Sequence, residues 1–313
     1  MGKASRTKQG VSRQQRIAAQ RAAQRRREVR NRVLLISGAA ALVIVIVVVF
    51  VVIKANSKPA ATTSSANGPT GAALSSVIHD TVSVPATTLE KIGAGSVTNP
   101  PAKISGTPLT SGGKPEMLYI GAEYCPYCAF ERWGMIVALS RFGTFSGLST
   151  VHSGNIPGEV YPNTPTWTFY KSTYTSKYLV FTPVEETTNV PLSSGQGYTP
   201  LQSPTAAQQA LLTKYDAPPY VPAANKGAIP FVYFGGHYLI TGASVPTGPA
   251  LLDGKSWATI ASSLKNPSDP VAQAVGGAAN YITAAICGMT GNQPATVCTP
   301  TITALQAKMP SAG

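Results

Sequence analysis

Histidine is scarce in this chain: three in 313 residues, at positions 79, 152 and 237, and none stands at metal-ligand spacing. Cysteine is scarce too, at four. A structural zinc site needs four ligands, normally two close pairs or a close pair with histidines, and that pattern does not form here. No metal is expected. No segment repeats, which excludes repeat architectures. Acidic residues number 12 against 25 Lys and Arg, yet the imbalance is local. Residues 1–32 hold eleven Lys or Arg and one acid, Glu28, while the remainder is close to balanced. That basic stretch contains no aromatic side chain to stack on a base, which argues against nucleic acid as the partner.

The next segment gives the basic stretch a different meaning. Val33 to Ile53 is 21 residues without a charge, enough to span a bilayer core of roughly 30 Å as a helix. The run is too long for a cleavable signal peptide, and KANSKPAA after it offers no convincing cleavage site. An uncleaved single-span anchor embedded in the lipid bilayer is expected. Positive charge before the span and little after it keeps the N-terminus in the cytoplasm and places residues 54–313 outside a cytoplasmic membrane. Four cysteines in that compartment are free to form disulfides.

Residues 54–76, rich in Ala, Ser, Thr, Gly and Pro, read as a flexible linker. Met117 to Ile120 has the length and character of a buried strand, and Ala129 to Phe142 shows a helical stripe through Phe130, Trp133 and Val137. Leu148 to His152, Thr166 to Tyr170 and Lys177 to Pro183 read as strands, and 184–204 as loop. Thr205 to Tyr215 is a helix with its cap at Ser203 or Thr205. Phe231 to Phe234 and Tyr238 to Thr241 are strands joined by Gly235-Gly236-His237, a hairpin signal. Ser256 to Leu264 and an Ala-rich stretch from Asp269 to Cys287 are helices. The fold class is α/β, a mixed sheet with flanking helices.

GAEYCPYCAFERW, residues 121–133, carries the chemistry. Cys125 falls where a helix begins, with Pro126 in its first turn, where a missing N–H costs nothing. Unpaired N–H groups and the dipole at that end favour thiolate over thiol, making Cys125 the expected nucleophile. Cys128, nearly one turn further in, is the expected resolving thiol. A structural or metal-binding pair is the competing reading of the same two residues. Glu123 and Glu131 read as solvated acids. Cys287 and Cys298 flank a Gly- and Pro-containing loop that lets them pair, as a structural disulfide or as a relay to Cys125 and Cys128.

A strand, a CPYC element and a helix in this order resemble the thioredoxin superfamily, and glutaredoxins carry the same four residues. The resemblance implies a thioredoxin-like sheet over residues 77–268, preceded by the transmembrane helix and followed by a helical extension, 269–313, with its own cysteine pair. It also implies that Ile229-Pro230 is a cis peptide facing the CPYC pair, with the Ile229 backbone and Tyr127 contacting an extended client. More closely, YIGAEYCPYCAFERW resembles an uncharacterised family of membrane-anchored, thioredoxin-like proteins. That motif is specific as to family and silent as to substrate. Tyr124 stands where thioredoxins usually have Trp, and no glutathione site is matched.

The expected function is thiol–disulfide exchange on exported protein thiols or disulfides, without an organic cofactor and with a separate redox partner to recycle the pair. In an oxidising compartment, oxidation or isomerisation is expected ahead of reduction. The alternative is a binding or chaperone-like module in which CPYC is structural.

Overall fold

A computed structural model describes residues 68–312 of the chain. The basic tail, the apolar run 33–53 and most of the linker lie outside the described residues. The described residues form one compact unit. Among the described residues no helix is long and apolar enough to cross a membrane.

The unit opens with helices α1 (Gly71–Val82) and α2 (Ala86–Ile92). The first occupies the last six residues assigned to the linker. It is ordered by burying Val77 and Thr81 and packing Leu74 and Ile78 on the main core, contacts that composition does not foretell. Two short strands, β1 (Ala102–Lys103) and β2 (Thr110–Ser111), lead to β3 (Lys114–Gly121), and the CPYC helix α3 (Pro126–Leu139) follows. Then come β4 (Gly143–Ser146), β5 (Ser149–His152), β6 (Pro165–Thr168), β7 (Thr173–Ser176), β8 (Val180–Glu185), β9 (Thr187–Pro191) and β10 (Tyr198–Pro200). The chain closes with α4 (Ala206–Tyr215), β11 (Phe231–Phe234), β12 (Tyr238–Thr241), α5 (Gly248–Leu252), α6 (Trp257–Ser263), α7 (Pro270–Met289) and α8 (Pro300–Lys308).

The main sheet runs β1–β12–β11–β3, antiparallel throughout, with β2 pairing the start of β3. Strand β8 joins β3 in parallel, so the sheet is mixed. A parallel return needs a long crossover, and α3 lies within it. The three short pairs β4–β7, β5–β6 and β9–β10 sit outside the main sheet. The 184–204 stretch expected as loop therefore contains a hairpin; its Thr- and Asn-rich β9 lacks the apolar alternation that marks a strand.

Alternation divides the sheet's side chains between two cores. Met117, Tyr119, Val232 and Phe234 face the larger one, under α3 and α7. Leu118, Ile120, Phe231 and Tyr233 face the smaller one, under α4 with Leu211 and Leu212. Helices thus flank both faces. Gly235 and Gly236 turn the β11–β12 hairpin with φ of 60° and 93°, a region that favours glycine.

Helix α7 departs from its expected place in a trailing extension. Its residues from Val271 to Cys287 are almost all buried, and it lies along α3, where Gly134 allows close approach: a Cβ there would be 3.1 Å from the Ala278 Cβ. Small residues on both helices permit this contact, which is why an Ala-rich segment serves as core. The contact also explains why α3 is buried around its whole circumference and not on one stripe. Beyond α7, α8 packs Ile302 and Leu305 inward, and the C-terminal residues return to β1, where Lys103 N–H donates to Pro310 O at 2.7 Å.

Candidate active site

Cys125 is the N-cap of α3, with extended backbone (φ −71°, ψ 121°), and Pro126 occupies the first turn as expected. The Cys128 N–H donates to Cys125 Sγ at 3.3 Å, so the helix terminus is capped by sulfur. Both thiols are free, Cys125 at 5% exposure and Cys128 at 0%. Cys125 Sγ reaches 3.6 Å from the carbonyl oxygen of Ile229, and the Ile229-Pro230 peptide is cis, as expected. Pro230 stands immediately before β11, the neighbour of β3, which is how a residue 105 positions later arrives beside the cysteine. Tyr127 is half-buried, its ring 6.4 Å from that of Tyr161.

The two thiols differ in electrostatics. Burial pushes the Cys125 thiol up. The hydrogen bonds it receives from the Cys128 thiol and N–H, the Arg132 charge and the Tyr127 N–H outweigh that and hold it below the ordinary thiol range. Cys128 goes the other way: burial, then its bond to Cys125, push it well above that range.

Beneath the pair lies a polar group that no sequence pattern announces. Arg132 donates through Nε to Glu185 Oε1 at 2.9 Å and through Nη2 to Glu185 Oε2 at 2.7 Å, with both side chains sealed from solvent. Nη2 also donates to Ala122 O, anchoring the residues that enter the CPYC turn. Tyr119 Oη donates to Glu185 Oε2 at 3.5 Å, and Phe169 N–H to Glu185 Oε1 at 3.3 Å. Arg132 follows Cys128 by one helical turn and shares its face, the one local signal available. Nothing in the sequence joins it to Glu185.

Glu123 and Glu131 are not the solvated acids expected. Glu123 accepts from Thr168 Oγ1 at 2.6 Å, and burial raises its carboxyl despite that bond. Glu131 accepts from Ser244 N–H at 2.9 Å and Ser244 Oγ at 2.7 Å; burial pushes it up to about 7. Each is buried because a hydroxyl partner from a distant segment satisfies it.

Cys287 and Cys298 form a disulfide with Cα atoms 5.7 Å apart. Arg141, just past the far end of α3, donates to Thr283 Oγ1 at 3.2 Å and Val297 O at 3.5 Å. This places the disulfide beyond the end of α3 opposite Cys125, about 20 Å of helix away. Among the described residues no three His, Cys, Asp or Glu side chains group as metal ligands.

Residues 100–288 match the family described as "Domain of unknown function (DUF929)". The chain belongs to that family. No curated protein and no solved structure matches the chain. The DUF929 segment runs from just before β1 almost to the end of α7, so it includes the CPYC turn, Arg132, Glu185, Pro230 and the first cysteine of the disulfide.

Proposed function

We propose that this DUF929 protein is a thiol–disulfide oxidoreductase of thioredoxin-like architecture, with Cys125 attacking and Cys128 resolving. The observation that carries this reading is the opposed environment of two free thiols one turn apart: a capping sulfur held reactive at a helix N-terminus, and a second sulfur sealed behind it. A structural pair would gain nothing from that difference. The mixed sheet, the helix directly after the cysteines and Pro230 beside Cys125 support the same architecture.

An extended client would lie across Tyr127 and the Ile229 backbone, exchanging a disulfide with Cys125 through a mixed disulfide. The uncharged run 33–53 and the basic residues before it support tethering to a cytoplasmic membrane with the domain outside, among exported proteins. Oxidised and reduced forms interconvert with a redox partner.

Alkylation of Cys125 against pH, combined with Cys128→Ser to trap mixed disulfides, tests the reading. The expected result is a Cys125 midpoint below that of a free thiol and client adducts that dithiothreitol releases. An ordinary midpoint with no adducts would leave the domain a binding module.

A further inference from the structure

Three large apolar side chains stand exposed among the described residues: Val160 at 55%, Val190 at 56% and Leu192 at 40%. All three lie on the two segments beside Cys125, the 153–164 loop and the β9–β10 hairpin. Tyr198 binds these segments together, since its Oη donates to Glu159 Oε1 at 2.9 Å and accepts from the Ile156 N–H at 3.2 Å. The same ring stacks on Tyr124, the residue before Cys125, with centroids 4.7 Å apart. Exposed apolar side chains gathered in this way mark a contact with a protein or with a membrane.

Two observations favour the membrane. The first is where the chain enters the fold. Gly68 lies against Thr150 of β5, where a Cβ would be 2.2 Å from Thr150 Oγ1. Gly68, Leu74, Thr150, His152 and Asn189 line one cleft of about 270 Å³. Asn189 immediately precedes Val190, and its Nδ2 donates to His152 O at 2.9 Å. The hairpin therefore stands beside the point of entry. Only fourteen residues, 54–67, separate that point from the apolar run 33–53, and they span at most about 50 Å. The second observation is charge. Residues 187–213 contain no Asp, Glu, Lys or Arg, and neither do 59–79 or 142–158. An uncharged surface offers a protein partner no electrostatic recognition, and it meets a lipid headgroup layer without desolvating an ion.

We propose that the β9–β10 tip, with Val160 beside it, seats on the bilayer that anchors the chain, so that the rim of Cys125 faces the membrane. The proposal rests on the tethering part of the proposed function. Val190 and Leu192 enter at headgroup level, where the backbone groups of the hairpin turn stay hydrated. Two or three such side chains would not hold a free protein on lipid. The tether turns their contact into an intramolecular event, with an effective concentration on the order of millimolar, and a weak contact then suffices. Seated in this way, Cys125 exchanges with cysteines presented at the bilayer surface ahead of those on freely diffusing proteins.

The test uses the full-length protein in vesicles of phosphatidylcholine and phosphatidylglycerol, doped with a phospholipid that carries a photoactivatable diazirine high on its acyl chain. Mass spectrometry locates the labelled residues. Label is expected in 33–53 and, on the folded domain, at Val160 and from Val190 to Leu192. Val190→Asn with Leu192→Asn, both at exposed positions, is expected to lower the hairpin label by about tenfold or more while the label in 33–53 stays. Equal hairpin label in variant and wild type overturns the inference. So does label in 33–53 with none on the hairpin, a result read from the wild-type chain alone. A hairpin that takes no lipid label but crosslinks to a peptide trapped on Cys125 by Cys128→Ser overturns it too, and assigns the patch to clients. Absence of label in 33–53 would instead overturn the tethering itself, and the seating with it.

Discussion

Arg132 and Glu185, 53 positions apart, hold each other through two hydrogen bonds with neither side chain touching solvent. One lies on the CPYC helix and the other ends the strand parallel to β3, so the pair bolts that helix to the sheet. Burying two charges is expensive, and leaving one alone is worse.

Removing one partner should therefore be far more damaging than removing both. Arg132→Met or Glu185→Leu alone is expected to cost about 3–5 kcal/mol, and the double variant substantially less than the sum. Denaturant unfolding of the four proteins measures this. Equal additive losses would mean the two side chains act independently.

Glu131 gives stability a pH dependence. Its folded carboxyl is raised to about 7 from a reference of 4.5. The sign is that of a raised group: its contribution is full below about 4.5, declines as pH rises towards 7, and is gone above that. The span corresponds to at most about 3 kcal/mol. Glu131→Gln keeps an acceptor for the Ser244 N–H, and should flatten this decline in unfolding curves taken from pH 5 to 8. A wild-type curve without the decline would refute the assignment.

Cys287→Ser with Cys298→Ser should lower stability by about 2–3 kcal/mol, the range expected for closing a loop of this size. The disulfide lies past the opposite end of α3 from Cys125, so the rate of Cys125 alkylation should be unchanged in the folded variant. A slowed rate would reopen the relay between the two cysteine pairs.

Gly121→Ala tests the crowding behind Cys128. Its Cβ would press on Tyr119 Oη and Cys128 Sγ, both fully buried, and should cost about 1–3 kcal/mol. A thermal melt indistinguishable from wild type would show that Tyr119 can move aside.

Local signals were legible in the sequence. Apolar runs marked β3, β11 and β12; Thr205 and Gln208 form a capping box at α4; Pro126 marked the start of α3. These depend on neighbours a few residues away. The features that escaped depend on distant partners. Glu131 is buried because Ser244 meets it from 113 positions away, and Glu185 because Arg132 does. Polar β9 pairs as a strand without any apolar alternation, and α7 is core because Gly134 lets it come close. At the site, the two cysteines, Ile229 and Pro230 were legible; Tyr119, Arg132 and Glu185 were not.

Helix α3 is enclosed between the sheet and α7, with Arg132 tied at its middle and Arg141 just past its end. A rod clamped along its length cannot swing to meet a substrate. The surface beside Cys125 is shaped by the chain around it: the 153–164 loop, whose Gly154 N–H donates to Tyr124 O, and the β9–β10 hairpin, whose Tyr198 stacks on Tyr124. On the proposed exchange reading the sulfur is a fixed anvil, and a choice among clients would fall to those two flanking segments.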